Sequence, residues 1–214
     1  MIKLKDDIAK TLKQFPKLTL FEREGGSPSL KGTIEIFNER SEIIDSFEVD
    51  IRFTSKFPRE YPLVFETGGR FSRDNPELHF FTNESLCLNV IQEEIITTRQ
   101  GISTIDFINN VLIPNLAWRV CKLEGLTTEL KEYRHGLNGV IDSYKEKLNV
   151  SSNIQMVKFL GLYLLNKLPE RNKPCFCGST INFKKCHYRY LDYLKQIDSK
   201  LIRQHLLDIL SDIK

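Results

Sequence analysis

Long apolar runs are missing from this sequence. A bilayer-spanning helix takes about 20 apolar residues. The best stretch here, Phe107 to Trp118, is 12 uncharged residues broken by three Asn and one Pro. A membrane partner is therefore not expected. The first residues, Met-Ile-Lys-Leu-Lys-Asp-Asp, place acids where a signal peptide needs its apolar core, so export is not expected either and a cytoplasmic location is. A strong charge of one sign is also lacking. The net charge of +3 and pI near 8.5 alone argue for neither nucleic acid nor membrane as partner. Internal repeats and low-complexity tracts are absent. A content of 41% hydrophobic and 28% charged residues excludes wholesale disorder. An even cysteine complement is missing too. Five cysteines in a 214-residue chain suit a reducing compartment, where thiols act as ligands or nucleophiles rather than as staples.

What is present is unevenly spread. Residues 1–150 carry a net charge of −3 and residues 151–214 a net +6. At 214 residues the chain has room for one or two domains. The charge step places their boundary at 150. A solvated basic helix face and a surface for an acidic partner both fit the second piece.

Hydrophobic periodicity predicts an N-terminal amphipathic helix over 2–15, with Ile2, Leu4, Ile8, Leu12 and Phe15 at helical spacing, stopped by Pro16. Strands are predicted at Leu18–Phe21, Thr33–Phe37, Phe47–Phe53 and Leu63–Thr67. In the third, Phe47, Val49, Ile51 and Phe53 alternate strictly with Glu48, Asp50 and Arg52, the mark of a sheet with one face buried and one wet. Gly25-Gly26, Asn38-Glu39 and the Phe57-Pro and Tyr61-Pro pairs read as turns. Residues 68–100 lack a sustained period, and a long irregular segment inside a domain is usually functional. Helical spacing returns from Ser103, with a kink or split expected at Pro114. Gly136 and Gly139 are expected to break the chain. Helices are predicted over Val140–Leu148, Ile154–Leu168 and, as one long element, Tyr190–Ile213. Cys121 and Trp118 read as core.

Three of the cysteines lie within twelve residues. Cys175-Phe-Cys177, followed by Cys186-His187, offers three thiolates and an imidazole, a donor set that suits tetrahedral Zn²⁺. Gly178 permits a tight turn, and Lys184 and Lys185 offset thiolate charge. The segment has few apolar residues of its own, so a metal would supply its folding energy. Arg171-Asn-Lys-Pro-Cys175-Phe-Cys177-Gly-Ser179, then Phe183-Lys-Lys-Cys186-His187, resembles the SEC-C motif, a small zinc-binding module. Thr180 replaces a usual second glycine and Phe176 a common proline; neither is a ligand. The resemblance implies structural zinc on Cys175, Cys177, Cys186 and His187, in a knuckle spanning 171–187.

Cys87 lies in the irregular segment, eight residues after His79. A cysteine is more often buried than catalytic, so position alone reads Cys87 as core. The order of helix, four-strand meander, Phe57-Pro/Tyr61-Pro, then His79-x₇-Cys87-Leu, then helices is similar to the ubiquitin-conjugating enzyme family. Pro62-Leu-Val-Phe-Glu-Thr-Gly-Gly-Arg70-Phe, Leu78-His79, Ser85-Leu-Cys87-Leu and Glu132-Tyr-Arg-His135-Gly-Leu-Asn-Gly139 resemble, over residues 1–150, the bacterial ubiquitin-conjugating-like proteins of CBASS anti-phage operons. The resemblance implies an α+β fold of the ubiquitin-conjugating (UBC-like) type. In it a four-stranded antiparallel meander is flanked by helices, followed by a small helical zinc-knuckle module over 151–214. It implies a transferase that forms a thioester on Cys87 with the C-terminus of a cGAS-like nucleotidyltransferase or a ubiquitin-like protein, with or without an activating enzyme, and passes it to an amine. A thioester carrier needs an accessible thiolate and a donor for the developing oxyanion. The family's His-Pro-Asn turn reads His79-Phe80-Phe81 here, so Asn83, Asn89 or a backbone amide is left as the oxyanion donor. His135 is implied as a base or orienting group, and capping a helix is its plainer reading. His79 is implied near the nucleophile, with a backbone-bonded turn as the alternative. A non-catalytic scaffold of the same fold, or a zinc-dependent protein or nucleic-acid adaptor, remains the competing reading. Nucleic acid ranks last because a stacking platform is lacking.

Overall fold

The computed structural model describes residues 4–22, 27–127 and 133–212. The expected start of the first helix at Ile2, the Gly25-Gly26 turn, Glu132 and the Ile213 end of the last helix lie outside them. The architecture is mixed α+β. The chain divides into two compact units, one of residues 1–89 and 97–131, the other of 90–96 and 132–214. The composition boundary at 150 falls inside the second. No helix among the described residues is long and apolar enough to cross a membrane.

In the first unit, α1 (Leu4–Gln14) leads into a meander of β1 (Leu18–Phe21), β2 (Ser29–Phe37), β3 (Ile43–Arg52) and β4 (Leu63–Glu66). The sheet is antiparallel in the order β1-β2-β3-β4. Leu30 pairs with Ile51, Ile34 with Phe47, and Ile51 with Val64. The period-two alternation therefore sends Leu30, Ile34, Phe47, Val49, Ile51 and Val64 to one buried face. β2 and β3 run longer than predicted because cross-strand bonds recruit the less periodic residues 29–32 and 43–46. Asn38 closes their hairpin as expected. Its Oδ1 accepts from the backbone N–H of Arg40 (2.9 Å) and Glu42 (3.0 Å).

After the sheet the chain forms α2 (Ile91–Thr98), inside the stretch expected to be irregular and assigned to the second unit up to Ile96, then α3 (Thr104–Phe107) and α4 (Ile113–Leu123) of the first unit. Ser103 caps α3, accepting from Asp106 N at 3.0 Å. The buried Asp7 carboxylate of α1 accepts from Thr104 N (2.9 Å) and Thr104 Oγ1 (2.5 Å), tying α1 to the start of α3. The split at Pro114 takes the form of a π-helical turn over Ile108–Leu112. Pro114 then sits in the first turn of α4, where its missing N–H is not needed. Trp118 is buried as expected. Cys121 is half-buried rather than core, because it lies off the Leu112–Leu116–Arg119 stripe that faces inward.

The second unit packs α5 (Gly136–Leu148), α6 (Asn153–Leu164), α7 (Leu191–Leu194) and α8 (Ser199–Asp212) around Ile141, Tyr144, Leu148, Phe159, Leu160, Leu194 and Ile202. Gly136 and Gly139 do not break the chain; they belong to α5. Gly139 is buried, and a Cβ there would stand 2.0 Å from the Arg134 carbonyl oxygen, so close approach of backbone demands glycine. α6 ends before the expected Leu168 because Asn166 turns left-handed at φ 53°. The single closing helix expected over 190–213 is two. Asp198 starts a fresh N-terminus, its Oδ1 accepting from Lys200 N (2.7 Å) and its carbonyl from Ile202 N (3.1 Å). A partly buried polar network adds to this core. Glu93 Oε1 accepts from Ser143 Oγ (2.9 Å) and Tyr193 Oη (2.8 Å), and Tyr144 Oη meets His205 Nδ1 at 3.1 Å. Burial, then the nearby Glu93 charge, pushes the Tyr144 and Tyr193 hydroxyls up, so both stay neutral hydrogen-bonding groups.

Candidate functional site

The structure brings Cys175, Cys177, Cys186 and His187 together, as the sequence spacing predicts. Their donor atoms all lie within 4.8 Å of one another. A short antiparallel bridge between Pro174 and Asn182 folds the loop back, with Cys175 N donating to Ile181 O at 3.1 Å. Gly178, at φ 85°, makes the turn after Cys177, and its N–H donates to Cys175 O at 3.3 Å. The Asn182 side chain caps a 3₁₀ turn over Phe183–Lys185, which delivers Cys186 and His187 to the sulfurs.

The distances test whether the donors fit a metal. Cys177 Sγ and Cys186 Sγ are 3.7 Å apart, and His187 Nδ1 lies 3.2 Å from Cys175 Sγ and 3.1 Å from Cys186 Sγ. A tetrahedral ion with bonds of about 2.3 Å to sulfur and about 2.0 Å to nitrogen sets these edges near ~3.8 Å and ~3.5 Å. The donor set fits such an ion with a small expansion on the imidazole side. Burial pushes the Cys175 thiol up to about 11. Burial also raises Cys177, but hydrogen bonds from Ser179 and from the neighbouring thiols outweigh it and leave that thiol at about 7. Burial holds His187 below its ordinary value, in the neutral form a ligand needs.

Helix α6 braces the loop from beneath. Lys158 Nζ donates to Phe176 O at 2.8 Å and Gln155 Nε2 to Cys177 O at 3.4 Å. Neither contact was legible from the motif, which lies apart from α6 in sequence.

The second candidate site is the loop that carries Cys87. His79 and Cys87 face each other across a small hairpin. Cys87 N donates to His79 O at 2.8 Å, Phe80 bridges Leu86, and Leu86 N donates to Val64 O of β4 at 2.8 Å. His79 is buried with φ 50°, and its ring meets Trp118 edge-on at 5.6 Å. Asn83 Oδ1 accepts from Ser85 N (3.1 Å) and Ser85 Oγ (2.7 Å), so that oxygen is engaged in forming the turn. Cys87 is half-buried, its sulfur 3.8 Å from Asn89 O.

Sequence reasoning missed Arg119. Its side chain is fully buried, and Nη2 donates to both His79 O (3.1 Å) and Cys87 O (3.2 Å). Nε holds Asn115 Oδ1 at 2.8 Å, and the Phe80 ring centroid lies 5.1 Å from the guanidinium. The available signal was an arginine on the apolar stripe of α4, three residues after Leu116. His135 belongs to the second unit, whereas Cys87 and His79 belong to the first. His135 occupies the N-cap position of α5, is exposed, and makes no side-chain capping bond.

The SEC-C motif model matches residues 171–189, which contain all four cluster residues. No curated protein and no solved structure matches the chain.

Proposed function

We propose that the chain is a ubiquitin-conjugating-like thioester carrier of bacterial anti-phage defence, with Cys87 as nucleophile and a structural zinc ion on Cys175, Cys177, Cys186 and His187. The Cys87 thiolate attacks an activated C-terminal acyl group of a partner protein and the activating group departs. The partner is a cGAS-like nucleotidyltransferase or a ubiquitin-like protein, with or without a separate activating enzyme. An acceptor amine then attacks the thioester carbonyl, the carbon–sulfur bond breaks, and the amine gives up its proton as the amide forms. His79 contributes through its backbone, as one strand of the hairpin.

The observation that carries the reading is the setting of Cys87. Cys87 is half-buried rather than enclosed in the core, while its N–H and carbonyl are both anchored, to His79 O and to Arg119. A fixed backbone under a reachable sulfur is what a large acyl donor requires. Asn83, whose side-chain oxygen holds the turn, Asn89 and backbone amides remain the proposed oxyanion donors.

The test incubates the full chain with the candidate partner and ATP, with and without a candidate activating enzyme, and reads adducts on non-reducing gels. Wild type is expected to form a thiol-sensitive adduct, Cys87→Ser a thiol-resistant oxyester, and Cys87→Ala none. An adduct that persists in Cys87→Ala sinks the proposal. For the metal, elemental analysis of the purified full chain should find about one zinc per chain, lost in Cys175→Ser. A zinc-free chain with unchanged folding refutes that half alone.

A further inference from the structure

The His187 ring has two nitrogens with different surroundings. Nδ1 faces the sulfurs, 3.2 Å from Cys175 Sγ and 3.1 Å from Cys186 Sγ. Nε2 lies 3.2 Å from the main-chain oxygen of Asn149. A carbonyl oxygen only accepts, so this contact requires the hydrogen on Nε2. In a neutral imidazole that leaves Nδ1 as the bare, ligating nitrogen. Phe176, Phe159 and Tyr190 surround the ring at centroid distances of 5.0, 5.7 and 5.9 Å and limit its rotation.

Asn149 lies well upstream of the matched 171–189 segment, and its geometry has a local cause. It closes α5 in the left-handed conformation, φ 52° and ψ 51°. Asn149 N donates to Glu146 O (3.1 Å) and Val150 N to Lys145 O (3.0 Å), the paired bonds of a Schellman close. The left-handed residue turns the chain back and aims its own carbonyl away from the helix. Val150 behind it is buried, so the turn is held in place. The carbonyl therefore reaches His187 from a rigid element rather than from a loop.

We propose that the left-handed close of α5 at Asn149 is a positioning element for the metal centre. Its carbonyl fixes the tautomer and ring orientation of His187, so the end of α5 serves as a fifth, outer contributor to the four-residue site. The inference rests on the metal reading above, and its test separates the two. The full chain is loaded with zinc, and long-range ¹H–¹⁵N correlation is used to assign the His187 ring. The expected pattern is metal on Nδ1 and a proton on Nε2 that is protected from solvent exchange. Ligation through Nε2, or an Nε2 proton exchanging as fast as that of an open imidazole, overturns the proposal. Chelator competition then compares two variants. Asn149→Gly keeps the left-handed conformation and is expected to hold zinc within about threefold of wild type. Asn149→Val, β-branched and averse to that conformation, is expected to weaken zinc binding about 10–100-fold. Equal affinity in Asn149→Val and wild type overturns the proposal. If Asn149→Val does not fold, the wild-type ring pattern and proton protection decide. A wild-type chain that binds no zinc defeats the metal reading itself, before any variant is made.

Discussion

The two units build their interiors from different materials. The first relies on apolar area: alternate residues of four strands meet the stripes of α1 and α4, and Leu30, Ile34, Phe47, Ile51 and Val64 are essentially dry. The second mixes helix packing with groups that need partners. It buries the Tyr144–His205 pair and partly buries the Glu93–Ser143–Tyr193 bonds and the cysteine cluster. Over 171–189, Phe176 and Phe183 are the large fully apolar side chains that reach that core. The lesson is that a segment with little apolar area can still be folded tightly if its donor atoms converge on one ion.

That contrast can be broken by metal removal, which should have the largest effect. Structural zinc contributes on the order of 10 kcal/mol to small sites at neutral pH. Chelation, or Cys186→Ser, should therefore abolish amide protection in α6 and α8 while strands β2 and β3 keep theirs. Hydrogen exchange read by mass spectrometry checks this, and equal loss in both units would erase the distinction. The reciprocal experiment is Phe47→Ala, expected to cost about 3–5 kcal/mol in denaturant melts of the first unit without lowering zinc affinity. Arg119→Met sharpens the picture within the first unit. It leaves the His79 and Cys87 carbonyls without their guanidinium, a loss of about 1–3 kcal/mol. The rate of Cys87 alkylation by iodoacetamide should change with it, while that of Cys121 should not.

The smallest effect concerns pH. The hydrogen bond and charge of Arg70 hold the Asp45 carboxyl below its ordinary value, partly offset by burial. A depressed folded-state value stabilises above the unfolded value near 4 and loses that contribution as pH falls through the folded value. Because the pair is partly exposed, Asp45→Asn should cost about 0.5 kcal/mol or less at pH 7, and nothing near pH 2. Melting curves at the two pH values read the difference.

Much of this was legible in the sequence because short-range physics decides it. Strict alternation from Phe47 to Phe53 located the third strand, and Asn38 announced its turn. The Cys175–His187 spacing announced the cluster. The rest turned on contacts that hydrophobic periodicity does not encode, some distant in sequence and some local. The extension of β2 depends on β3. The break in the last helix depends on Asp198 beginning a new end where periodicity continues. The Gly139 contact depends on the Arg134 carbonyl, and Arg119 on carbonyls some 30 to 40 residues earlier. The predicted helix ends at Leu148, and the reach of Asn149 to His187 exists only after folding.

The chain passes from the first unit into the second at Val90, returns at Thr97 and leaves again at Glu132. The unit that carries the cysteine cluster is consequently not an appendage that can be clipped off. A fragment beginning at 151 would leave behind α5 with Ile141, Tyr144 and Leu148, the Asn149 carbonyl, and the 90–96 segment with Glu93. The complementary fragment would carry those same side chains with nothing to bury them. Genetic exchange of this tail between proteins should therefore succeed only when the short segment after Cys87 travels with it, which makes residues 90–96 and 132–214 one heritable unit written in two places.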